Sequence, residues 1–156
     1  MSLRLGTELP DLSGATEWLN GEVDRSHLIG SPVLVHFWAM SCYICKQNLP
    51  TIEAWQQTYG TLGLKVLAVH MPRQESDMDT ATVKATATEF AIREPCAIDN
   101  THAIGDAFQT GGFWPHYFLF DAEGKLINRA AGDAGLKMMD GALQRLMQPQ
   151  PEAVVV

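Results

Sequence analysis

Cys42 and Cys45 stand three residues apart in Ser41-Cys42-Tyr43-Ile44-Cys45-Lys46, directly after the apolar run Val33-Leu34-Val35-His36-Phe37-Trp38-Ala39. That β-branched and aromatic run reads as a buried strand, and the residues after it keep helical spacing. The cysteines therefore fall where a strand turns into a helix. At i and i+3 of a helix both sulfurs lie on one face, close enough to close a small disulfide ring. The first sulfur sits at the helix N-terminus, where unpaired N–H groups and the macrodipole favour an anion. A thiolate is the attacking species in disulfide exchange, and the second thiol, one turn in, can resolve the mixed disulfide. Cys42 and Cys45 are the candidate catalytic residues. Two other readings stand beside this one: half of a zinc site, or two inert core thiols. A structural zinc site takes four ligands. The chain has no second CxxC, and Cys96 and the five histidines show no ligand spacing, so no metal ligand is assigned.

The rest of the chain supplies the elements that must hold this pair. Ala15 to Leu19 reads as a short strand closing on Asn20-Gly21, a dipeptide that favours a tight hairpin turn. Asp24 to Ile29 reads as one helical turn ending at Gly30. The strand at residues 33–39 follows Pro32. Ile44, Leu49, Ile52 and Tyr59 predict a helix that ends at Gly60, with a kink at Pro50. Lys65 to His70 is a second buried strand. Charged residues from Arg73 to Asp79 read as a solvated loop. Asp79 then caps a helix whose apolar positions are Val83, Ala87, Phe90 and Ala91. Cys96 to Ile98 is a third strand, and Thr101 to Phe108 a short helix closed by Gly111-Gly112. Tyr117 to Phe120 and Leu126 to Ala130 form a hairpin about the turn at residues 121–124. Leu136, Met139, Leu143, Leu146 and Met147 make one face of a last helix, and the tail at residues 149–156 frays. This order predicts a three-layer α/β/α fold with a mixed central sheet, as a single domain over residues 1–148. Its active site is expected at the carboxyl ends of the parallel strands.

Composition narrows the function classes. The 156 residues fit one domain by the prior of roughly 100–200 residues each. With 46% apolar and 19% charged residues, wholesale disorder is excluded. A net charge of −7 and the lack of any Lys/Arg cluster argue against nucleic acid or an anionic membrane as partner. Three cysteines are too few for a disulfide scaffold. No segment approaches the ~18 apolar residues of a membrane span, and the start, MSLRLGTELPDLSG, has no hydrophobic signal region. The expectation is a cytoplasmic monomer.

The segment VLVHFWAMSCYICKQNLP resembles the strand–CxxC–helix of the thioredoxin superfamily, down to Pro50 five residues after the second cysteine. Residues 112–121, GFWPHYFLFD, resemble the segment that carries that family's cis-proline. The extra strand and helix between Met71 and Ile98, with the N-terminal extension, resemble the TlpA/ResA and peroxiredoxin-like branch. NGEV, HFW..SC..CK and AVHMPR are similar to the Bacillus YkuV-type thiol–disulfide oxidoreductases, over nearly the whole chain up to about Met147. The resemblance implies a thioredoxin-like fold and exchange of a Cys42–Cys45 dithiol with protein disulfides. It implies no cofactor beyond that disulfide. Its partners are disulfide-containing client proteins and a reductase or dithiol electron donor.

Further roles follow by carry-over. Pro115 is expected to be cis beside the cysteines, with Trp114 offering its backbone to an extended substrate strand. An ordinary trans proline opening an edge strand is the alternative. His116 stands where the family often has Thr, and is either a polar substrate contact or a solvated strand residue. His36 stands at the position of a buried Asp credited with shuttling the second cysteine's proton. A neutral imidazole there either accepts the Cys45 proton or is a core histidine bonded to a backbone carbonyl. Asn48 replaces the Glu of the ResA-type branch, so that acid–base arrangement does not carry over. Trp38 is expected to pack against the active-site helix, His70 to cap or pack, and Cys96 to be a buried, unreactive thiol. A peroxiredoxin-type peroxidase is disfavoured, because Val35 and Ala39 replace its Pro and Thr/Ser. Tyr43 and Ile44 bring no positive charge to the dithiol, which predicts a reducing enzyme with a potential near about −270 mV.

Overall fold

The computed structural model describes residues 2–148. Its strands are β1 (Glu17–Leu19), β2 (Val33–Trp38), β3 (Lys65–His70), β4 (Cys96–Ile98), β5 (His116–Phe120) and β6 (Leu126–Ala131). The helices are α1 (Arg25–Leu28), α2 (Tyr43–Tyr59), α3 (Thr80–Glu89), α4 (Ala103–Ala107) and α5 (Asp133–Met147). The six strands form one sheet in the order β1-β4-β3-β2-β5-β6. Strands β2, β3 and β4 are parallel, while β1, β5 and β6 run antiparallel to their neighbours. The sheet is mixed and covered by helices, the α/β/α arrangement that the element order predicts.

Every residue of β2 is buried, because it is flanked by strands on both edges and covered on both faces. Leu34 and Trp38 face a core that holds Leu49, Ile52 and Trp55 of α2, Val83 and Ala87 of α3, and Met139 and Leu143 of α5. Cys42 and Cys45 belong to that same core. On the other face Val33, Val35 and Phe37 meet Leu28, Ile104, Phe108 and Phe118. Leu3, Leu9 and Leu12 complete this second core, so the irregular N-terminal segment acts as a layer of its own.

Several local expectations change. No hairpin closes at Asn20-Gly21: β1 pairs instead with the distant β4. Both turn residues do adopt positive φ, 63° and 104°. However, the Asn20 Nδ2 group donates to the Ile92 and Glu94 carbonyls, each at 2.9 Å, and so pins the turn to the approach of β4. The stretch from Arg73 to Asp79 is exposed except at Asp77. Residues 75–78 form a 3-10 turn, and Asp77 is buried within it. Helix α3 ends at Glu89, leaving Phe90 and Ala91 beyond it, and Ala91 has a φ of 59°. Helix α2 runs through Pro50 without a break, although Pro50 has no N–H for the Lys46 carbonyl. The expected frayed tail lies outside the described residues.

A buried carboxylate joins β4 to α4. Asp99 Oδ1 accepts from the Ile104 N–H at 2.9 Å, and Oδ2 from the Gly105 N–H at 2.8 Å. These are the orphan donors at the start of a short helix. Burial pushes the Asp99 carboxyl up from its ordinary pKa, while the two N–H bonds pull it down. At Gly105 an added Cβ would collide with the Met71 side chain, so α4 packs tightly on the end of β3. Asp99→Ala leaves those two N–H groups without their partners and should cost about 2–3 kcal/mol in urea unfolding. Asp99→Asn keeps one acceptor oxygen and should cost less. A loss below about 0.5 kcal/mol for the alanine variant would contradict the capping role.

Candidate active site

At the carboxyl end of β2 the chain turns through Ala39, Met40 and Ser41 and enters α2. Cys42 is the N-cap, with φ −94° and ψ 105°. Its sulfur accepts from the Cys45 N–H at 3.1 Å, and its carbonyl accepts from the Lys46 N–H at 3.1 Å. The first sulfur thus sits against the unpaired donors of a 17-residue helix, a place that stabilises negative charge. Cys42 and Cys45 are joined as a disulfide, with Cα atoms 5.2 Å apart. Both side chains are largely buried. Only Cys42 lines an open groove of about 590 Å³, together with Ser41, Tyr43, Arg73, Phe113 and Trp114. Tyr43 is 74% exposed and Phe113 66%, which leaves the groove with an apolar, accessible rim.

The facing wall is the segment before β5, where the Trp114–Pro115 bond is cis. The Trp114 indole N–H donates to the Met71 carbonyl at 2.7 Å, tying this wall to the end of β3. The His102 ring packs edge-on to the indole at 6.2 Å, and its Nε2 donates to the Pro72 carbonyl at 2.7 Å. The Pro115 carbonyl is taken by the Gly132 N–H at 2.9 Å. The N–H and C=O of Trp114 itself make no backbone hydrogen bond with the described residues.

The turn that carries Cys42 is held from behind. The Ser41 hydroxyl donates to Asp77 Oδ2 at 2.6 Å, and the same oxygen accepts the Arg73 N–H at 3.0 Å. The Arg73 guanidinium donates to the Ser41 carbonyl at 2.8 Å. The Met40 N–H donates to His70 Nε2 at 3.1 Å. His70 must therefore carry its proton on Nδ1. Burial pushes its pKa down to about 4, so it remains a neutral acceptor. Trp38 packs edge-on to this ring at 4.7 Å, in the core that also holds the two cysteines.

Among the described residues His36 bonds neither a backbone carbonyl nor Cys45. Its Nε2 lies 3.1 Å from Glu94 Oε2, which also accepts from the Gln56 amide at 2.7 Å. Both members of the pair are buried. Asn48, buried, donates to the Tyr117 hydroxyl at 3.0 Å, and so binds α2 to β5. His116 is not solvated. It stacks on Phe118 at 4.7 Å and lines a second pocket with Thr110 and Arg129, which shares Phe113 with the groove; His116 itself does not line the groove. Burial, with Arg129 nearby, pushes its pKa down to about 4. Cys96 is fully buried, and burial pushes its thiol up to about 12, so it is no nucleophile at neutral pH. Among the described residues no group of three or more His, Cys, Asp or Glu side chains could hold a metal ion. Asp77, Arg73, Glu94 and Gln56 carry no signal in the chain's local pattern; each reads there as a surface residue.

The sequence profile of the AhpC/TSA family matches residues 5–129. The chain is 41% identical over 146 residues to the thiol-disulfide oxidoreductase YkuV of Bacillus subtilis, covering 93% of this chain and 97% of that one. It is 24% identical over 144 residues to the thiol-disulfide oxidoreductase ResA of Bacillus cereus, covering 92% and 79%. Among solved structures it superposes with a TM-score of 0.85 on a thioredoxin-like protein in its oxidised form, at 41% identity over 93% of this chain and 97% of the other.

Two of the three buried histidines, His70 and His116, give a pH dependence of known sign. His70 and His116 have folded pKa values of about 4, against about 6.5 in an unfolded chain. Below pH 6.5 the unfolded chain binds more protons. The stability they confer is complete above about pH 6.5 and is lost as pH falls toward about 4, by at most roughly 3 kcal/mol per histidine. Urea unfolding across pH 4 to 7 measures the loss. A His70→Gln, His116→Gln double variant should show a much shallower decline, and an unchanged decline would contradict the assignment.

Proposed function

The chain belongs to the AhpC/TSA family, among its thioredoxin-like thiol–disulfide oxidoreductases, and from that premise we propose that it reduces disulfides in client proteins. The observation that carries this reading is the position of Cys42: N-cap of α2, sulfur on the Cys45 N–H, and open to the groove. In the reduced enzyme the Cys42 thiolate attacks one client sulfur. The client disulfide breaks, its second sulfur leaves as a thiolate and takes a proton, and a Cys42–client mixed disulfide forms. Cys45 then gives up its proton and attacks Cys42 Sγ. The client leaves with both sulfurs reduced, and the enzyme keeps the Cys42–Cys45 disulfide. Two electrons have passed to the client, and a dithiol donor restores them. The exchange needs no cofactor beyond the cysteine pair.

Other residues take supporting parts. Trp114 presents free backbone groups on the wall facing Cys42, which suits pairing with an extended client segment. Pro115, behind it, turns the chain into β5. His36 contacts Glu94 rather than Cys45, so its part is to tie β2 to α2 through Glu94 and Gln56, not to take the Cys45 proton. Trp38 walls the core behind both sulfurs.

Reduction is the favoured direction because Tyr43 and Ile44 place no cation between the two cysteines, and Arg73, the charged residue on the groove, bonds the Ser41 carbonyl rather than Cys42. The same reading assigns the protein to the cytoplasm, where thiols are kept reduced. Peroxide reduction is the competing reaction of the family. Val35 and Ala39 are buried and apolar, and offer no hydroxyl to a peroxide.

Two measurements test the reading. Turnover of insulin disulfides with a dithiol donor should exceed turnover of hydrogen peroxide, and the reverse order would establish a peroxidase. Equilibration with glutathione buffers should give a potential nearer about −270 mV than about −120 mV, and a value above about −180 mV would overturn the reductase direction.

A further inference from the structure

We propose that Arg73 selects clients by binding a carboxylate side chain within about two residues of the client's reacting half-cystine. The inference rests on the exchange reading above and names the substrate class for it. Of the described residues lining the groove, Arg73 alone is charged, while the chain as a whole carries −7. The groove thus carries one exposed cation, with the buried Asp77 carboxylate behind it. Among the described residues Arg73 has no carboxylate within ion-pair distance. One guanidinium N–H goes to the Ser41 carbonyl at 2.8 Å, and the remaining donors are left for a ligand.

Arg73 is also held in place. Its backbone N–H is fixed by Asp77 Oδ2, and Asp77 in turn is buried and bonded to the Ser41 hydroxyl. The cation is therefore anchored to the residue directly before Cys42. A client tethered through its sulfur to Cys42 and extended along Trp114 advances roughly 3.3 Å per residue. A carboxylate two residues away then falls within reach of a long arginine side chain. The exposed rings of Tyr43 and Phe113 give the groove an apolar rim along which a client segment can lie, and the guanidinium's planar fork suits a carboxylate. A client lysine in the same place meets a like charge.

The test uses disulfide-linked peptide pairs that differ only in Glu or Gln at the second residue on either side of the half-cystine. Single-turnover exchange with the dithiothreitol-reduced protein should be about 5–10-fold faster for a Glu peptide at low salt, and the advantage should shrink at high salt. Arg73→Gln should bring the Glu/Gln ratio close to one, and Arg73→Lys should keep much of it. A wild-type ratio near one, or the same ratio in Arg73→Gln, overturns the proposal. A wild-type protein that exchanges with neither peptide overturns the exchange reading itself, and this inference with it.

Discussion

One contact organises the molecule: the hydrogen bond from the Cys45 N–H to Cys42 Sγ at the start of α2. A helix begins with donors that have no partner inside it. Placing a sulfur there gives those donors an acceptor, and gives the sulfur a reason to ionise. The cost is steric, because Cys42 must stay in extended backbone while the next residue turns helical. The structure meets that requirement by ending β2 four residues earlier and holding the turn between from three sides. His70 takes the Met40 N–H, Asp77 takes the Ser41 hydroxyl, and Arg73 takes the Ser41 carbonyl.

The two cores hold this arrangement in opposite ways. Beneath α2, Leu34 and Trp38 of β2 pack with Leu49, Ile52 and Trp55, so the helix carrying the dithiol cannot shift without opening apolar contacts. On the far face, Leu3, Leu9 and Leu12 close over Phe37, Phe108 and Phe118. That second core positions the wall of the groove only indirectly. Asp99 starts α4, α4 packs on Met71, and the Met71 carbonyl holds the Trp114 indole. A run of hydrogen bonds and packing contacts thus reaches from the end of β4 to the wall of the groove.

What the sequence made legible was local. The buried run at residues 33–39 followed by helical spacing places Cys42 at a helix start, because strand and helix periodicities are read within a few residues. The element order leads from there to a mixed sheet, and the Gly-Phe-Trp-Pro segment marks the opposite wall by its likeness to relatives. What stayed hidden depends on residues far apart. Asp77 meets Ser41 across 36 residues, and Glu94 meets His36 across 58. Asp77 stands in a polar stretch and Glu94 beside Arg93, and nothing nearby names the partner that either meets in the interior. Asn20-Gly21 shows the converse failure. Its backbone makes the turn that such a pair favours, but the following segment has no strand to offer, and the pairing goes to β4 instead.

The central claim is that Cys42 attacks and Cys45 resolves. Removing the resolving thiol should leave the attack intact and trap its product. A Cys45→Ser variant, incubated with a disulfide-containing protein substrate and analysed by peptide mass mapping without reduction, should accumulate a mixed disulfide through Cys42, and a Cys42→Ser variant should accumulate none. An adduct carried by Cys45 in the Cys42→Ser protein, with none on Cys42 in the other, would contradict the account.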